Sequence, residues 1–79
     1  MATAAAADQP ASFGDLLRRH RAVAGLTQEE LAVRAGLSVR GLRYLEQGVR
    51  RPYPDTMQRI VDALALSAED RHLLMAAAR

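Results

Sequence analysis

Arg40, Arg43, Arg50 and Arg51 crowd into the stretch between Ser38 and Tyr53, where Glu46 is the sole acid. Elsewhere the signs nearly balance, with four arginines against four acids from Met1 to Leu37 and three against four from Pro54 to Arg79. The formal net charge of +2 is therefore carried by one short segment. A guanidinium presents a planar fork of N–H donors that matches a phosphate or the O6/N7 edge of guanine. A local basic stripe of this kind is the electrostatic footprint of a nucleic-acid reader, and equally of a solvated basic helix face. Charge alone leaves both readings open.

Little else in the chain is placed to react. Ser12, Thr27, Ser38 and Ser67 each stand where a helix begins and are taken up as caps. His20 falls on the apolar side of the first helix, as a packed core or rim histidine, and His72 is expected to be solvated. With no cysteine there is neither a disulfide nor a thiolate metal site, and two isolated histidines do not make one. Neither a glycine-rich phosphate loop nor a nucleophile with a partner base is legible. The chain reads as a non-enzyme with no catalytic residue, no metal and no cofactor.

The elements that must position the arginines follow from the apolar pattern. Of the 79 residues 49% are hydrophobic but only 4% aromatic, a balance that favours short helices over a β-sandwich or barrel. An all-α fold is expected, as one domain over residues 12–79 behind an alanine-rich leader at 1–11 that reads as disordered. Ser12 with Asp15 opens a first helix marked by Phe13, Leu16, Leu17 and Ala24 and stopped by Gly25. Thr27 with Glu30 opens a second, with Leu31, Ala32 and Ala35 on its buried face and Gly36 at its end. Only Leu37 intervenes before Ser38 caps a third, which turns Leu42 and Leu45 inward and ends at Gly48. Val49 to Pro54 reads as an extended loop because of its prolines. A fourth helix starts at Asp55 and shows Met57, Ile60, Val61 and Leu64; a fifth, capped by Ser67 with Asp70, shows a strip of Leu73, Leu74 and Ala77, expected to be buried internally. With Leu42 and Leu45 inward, Arg40, Arg43, Tyr44 and Gln47 recur at i, i+3, i+4 and i+7 along one outward stripe, with Val39 at its leading edge. No apolar run is long enough to span a bilayer, so a soluble, cytoplasmic chain is expected, with no membrane partner.

Three blocks stand at fixed spacing: Thr27-Gln28-Glu29-Glu30-Leu31-Ala32, then Ala35-Gly36-Leu37-Ser38, then Leu45-Glu46-Gln47-Gly48. Together they closely resemble the helix-turn-helix of the Cro/C1-type, or XRE, regulators, a likeness that runs from about Phe13 to Leu66. The resemblance implies a compact five-helix, lambda-repressor-like bundle in which helices two and three form the motif. The third helix would then enter the major groove of double-stranded DNA, in sequence-specific binding that regulates transcription. Arg40, Arg43 and Val39 become candidate base readers, with the choice between the arginines left open, and Tyr44 and Gln47 share their stripe. Gln28 matches the family's glutamine at the start of the first motif helix, where side chain and helix N-terminus meet a phosphate, and Thr27 and Ser38 at the two helix starts join the DNA-facing set. Arg50 and Arg51 lie where backbone phosphates should pass, the alternative being a solvated loop. The family also implies a partly buried ion pair of Glu46 with Arg21 that fixes the third helix, against the alternative of an exposed acid. The chain is similar to the N-terminal modules of actinobacterial multidomain regulators, so further domains and a homodimer on DNA are expected partners. The rival function is a helix-turn-helix kept for protein interaction or dimerisation without DNA binding. Retention of the basic stripe favours DNA.

Overall fold

A computed structural model of the chain describes residues 12–79; the leader expected over residues 1–11 lies outside them. Five helices follow in order: α1 (Phe13–Val23), α2 (Gln28–Ala35), α3 (Val39–Gln47), α4 (Pro54–Leu64) and α5 (Ala68–Ala77). The fold is all-α. Four of the starts are closed by a hydroxyl that accepts from the backbone N–H three residues on: Ser12 from Asp15, Thr27 from Glu30, Ser38 from Gly41 and Ser67 from Asp70, at 2.9–3.1 Å. Each bond satisfies a donor that the first helical turn leaves without a partner. At Thr27 the box is reciprocal, because Glu30 Oε1 accepts the Thr27 N–H at 2.8 Å. That backbone bond, with the one from the Thr27 side chain, holds the Glu30 carboxyl below its usual range.

The fourth helix begins one residue earlier than expected. Pro54 is its first residue, and Tyr53 caps it without a side-chain bond. A proline fits there because its missing N–H would be unpaired in any case and its φ is already helical. The other end of α4 departs from its neighbours too. The chain leaves α1, α2, α3 and α4 by the same backbone reversal, with Leu26, Leu37, Val49 and Leu66 donating back to Arg21, Ala32, Tyr44 and Val61 at 2.9–3.3 Å. The residue at the bend has positive φ each time; it is glycine after the first three helices and Ala65, at φ 51°, after α4.

In the packing, α1 lies across α3 and α5, and α2 across α3 and α4. Leu17, Leu31, Leu42, Ile60 and Leu74 are fully buried at the centre, with Phe13, Leu45, Met57, Val61 and Leu64 around them. The expected strip on α5 is narrower than its sequence suggests: Leu74 is buried, Ala77 half-buried, and Leu73 is 51% exposed. Successive helical residues point about 100° apart, and α5, packed on α1, turns Leu74 into the core and leaves Leu73 outside. Ala24 is likewise exposed, while Leu26, in the link to α2, is buried. Where α1 crosses α3, Gly14 lies against backbone. A Cβ there would fall 2.8 Å from the Glu46 carbonyl carbon, closer than side chains approach. Among the described residues no helix is long and apolar enough to cross a membrane.

Candidate nucleic-acid interface

The third helix divides sharply. Leu42 and Leu45 are buried against α1 and α2, while Arg40, Arg43 and Gln47 are exposed on the far side. Two members of the expected stripe are less free. Val39 is half-buried and packs against the core, so only part of its side chain faces outward. Tyr44 is half-buried as well, with the Arg50 guanidinium over its ring at 5.2 Å from the centroid. The backbone explains that contact. After Gly48 the N–H groups of Val49 and Arg50 both donate to the Tyr44 carbonyl, at 2.9 and 3.4 Å, which folds the loop back along α3. The guanidinium then settles on the electron-rich ring face. Arg51, next in the loop, is exposed.

Glu46, the one acid of the basic stretch, is turned inward and only 4% exposed. Arg21 of α1 grips it with two bonds, Nε donating to Oε2 at 2.7 Å and Nη2 to Oε1 at 3.2 Å, and its Nη1 donates to the Leu26 carbonyl at 3.0 Å. The bond to Glu46 raises the Arg21 pKa above its ordinary value against the opposing effect of partial burial. Gln28, half-buried at the start of α2, donates Nε2 to Glu46 Oε1 at 3.0 Å. Its own Oε1 accepts Arg43 Nε at 3.2 Å. A continuous polar path thus runs from α1 through α3 and α2 back to the outer face of α3. Nothing in the sequence spacing places Gln28 between Glu46 and Arg43; the only hint is chemical, since an amide carries both a donor and an acceptor.

The outer face of α3 and the loop after it carry arginine and no exposed acid. Among the described residues Arg40, Arg43, Arg50 and Arg51 enter no ion pair, the paired arginines being Arg18 with Asp15, Arg21 with Glu46 and Arg59 with Asp55. The hydroxyl of Ser38, at the N-terminus of α3, accepts its cap bond and keeps an O–H to donate, whereas the Thr27 hydroxyl, at the start of α2, is engaged with Glu30. Exposed arginines, helix N-termini and a spare hydroxyl donor are the groups that phosphates bind.

Residues 12–74 match a family model described as a helix-turn-helix domain. Over 56 residues the chain is 38% identical to an uncharacterized HTH-type transcriptional regulator of Mycobacterium tuberculosis, covering 71% of this chain and 40% of that protein. Over 67 residues it is 34% identical to another uncharacterized HTH-type transcriptional regulator, from Mycobacterium bovis, covering 85% of this chain and 26% of that protein. The chain thus spans less than half the length of these relatives. No solved structure matches it.

Proposed function

The chain belongs to the helix-turn-helix family, and from that membership and the geometry of α3 we propose that it binds duplex DNA in the major groove and regulates transcription. The observation that carries this reading is the pairing pattern of one segment: its only acid is withdrawn into the interior on Arg21, while its four arginines stand outside without an acidic partner. A helix in the major groove needs a polar outer face and a firmly seated inner one. In this reading Arg40 and Arg43, with the exposed part of Val39, face base edges, and Gln47 flanks them. Thr27, Gln28 and Ser38 meet backbone phosphates at the helix starts. Arg50, seated on Tyr44, and Arg51 hold the backbone beyond α3 and supply affinity without specificity. The motif is of the Cro/C1 type, the protein works in the cytoplasm where the chromosome is reached, and two copies act together on DNA. The greater length of the relatives supports further domains joined to this one.

Retention on random-sequence duplex across a salt series tests the reading. Binding should weaken linearly in log–log form, with a slope of about −0.9 for each phosphate contacted. A helix-turn-helix used only for protein contacts gives no retention at any salt, and that result would overturn it.

A further inference from the structure

Two exposed arginines of α3 are available to read bases, and their surroundings differ. Arg40 makes no side-chain hydrogen bond among the described residues, so it must be ordered when a base is met. Arg43 is already held. Its Nε donates to Gln28 Oε1, and Gln28 is itself anchored through Nε2 to Glu46 Oε1. Glu46 is buried and gripped twice by Arg21. Because a carboxylate at Glu46 accepts and cannot donate, the Gln28 amide has one favourable orientation, with its nitrogen inward and its oxygen outward. That oxygen engages Arg43 through the single Nε–H and leaves both terminal Nη groups unused, which are the pair that forks onto guanine O6 and N7.

We propose that Arg43 is the guanine-reading residue of the recognition helix and that Gln28 is its positioning residue, orienting the guanidinium through Glu46 and Arg21. The assignment rests on the DNA-binding reading given above and deepens it. It gives Gln28 a second task beside any phosphate contact, since one Nε2 hydrogen stays free. It also divides the arginines: Arg43 arrives oriented, whereas Arg40 contributes charge.

The test has one arm without DNA and one with it. In the full chain, the Arg43 Nε–H signal is followed by nitrogen-15 NMR in the native protein, in Gln28→Ala and in Gln28→Asn, whose shorter amide cannot span both partners. Slowed solvent exchange of that proton in the native chain, lost in both variants while circular dichroism stays helical, is the expected result; fast exchange in the native chain overturns the positioning role. In the second arm, each protein selects from a pool of random-sequence duplex and the bound fraction is sequenced. The native chain should enrich guanine at one position, Arg43→Ala should lose that enrichment by about tenfold, and Gln28→Ala should lose part of it at the same position. The double variant should lose no more there than Arg43→Ala alone. If Arg40→Ala removes the guanine instead, or Gln28→Ala lowers binding to all sequences with the preference intact, the assignment is wrong although DNA binding stands. If the native chain retains no duplex, the DNA reading itself fails.

Discussion

Toward α1, the third helix presents Leu42, Leu45 and Glu46, and the approach is so close that Gly14 has no room for a methyl group. Away from it, Arg40, Arg43 and Gln47 stand in solvent with no acid to hold them. A turn of about 100° along one short helix separates side chains that hold the fold from side chains that leave it indifferent. The two sets are nonetheless joined, because the polar path through Glu46 and Gln28 carries the inner geometry to Arg43. Stability and recognition should therefore respond to different substitutions, and the contrast can be pressed from either side.

The largest effect is expected at Leu42, which is fully buried between the motif helices. Leu42→Ala should cost about 2–5 kcal/mol, read as a lower denaturant midpoint at unchanged slope. A cost under 1 kcal/mol would mean that the inner face is not the seam described. Gly14→Ala comes next. Alanine ordinarily improves a helix interior by up to about 1 kcal/mol, but here the added carbon meets the Glu46 carbonyl, so a net loss of about 1–3 kcal/mol is expected from overpacking. A gain in stability would separate α1 from α3 by more than the structure does. On the outer face the sign of the comparison reverses. Arg40→Ala and Arg51→Ala should leave stability within about 0.5 kcal/mol, while Arg51→Ala lowers the salt slope of binding to random duplex by about one. An outer variant that unfolds the chain would erase the distinction.

The smallest effect concerns acid. Glu30 has its pKa lowered by the Thr27 cap bonds, so its contribution is present above its unfolded pKa and is lost as pH falls through the lower folded one. The window lies below the usual glutamate value of about 4.3. Glu30→Gln keeps an oxygen for the Thr27 N–H and removes the titration. Denaturant midpoints of the two proteins should draw together as pH falls from neutral to about 3; curves that stay parallel would remove the carboxylate from the box.

How much of this was legible depends on whether the signal is local. Ser12, Thr27, Ser38 and Ser67 announce helix starts because a hydroxyl reaches an N–H only three residues away, and Gly36 marks a bend because its own φ must be positive. The start at Pro54 and the stop at Ala65 carry no capping hydroxyl or glycine to mark them. Gly14 is silent in sequence, since the need for a bare Cα comes from a helix that passes over it in space. The choice of Leu74 over Leu73 for the core is likewise decided by the direction of approach of α1. On the site, the arginine stripe follows from helical periodicity alone, but the restraint on Arg43 depends on Gln28, fifteen residues away and on another helix. The partial covering of Tyr44 depends on the way the chain turns after Gly48.

Ala65 closes α4 in a conformation that the other bends reserve for glycine. For an alanine this region costs about 1–2 kcal/mol relative to ordinary backbone, and its methyl group is exposed, so the core gains nothing from it. Part of any relief on replacing it is offset by the greater freedom of glycine in the unfolded chain, about 0.4–1 kcal/mol. The balance still favours Ala65→Gly by about 0.5–1 kcal/mol. A domain of this size gains roughly 4–8 °C in melting temperature for each kcal/mol, so calorimetry should find the variant melting several degrees higher with its DNA-facing surface untouched. No change, or a lower melting point, would show that the bend carries no strain. In thermal terms, the chain holds an unused margin at a residue outside the set proposed to meet DNA.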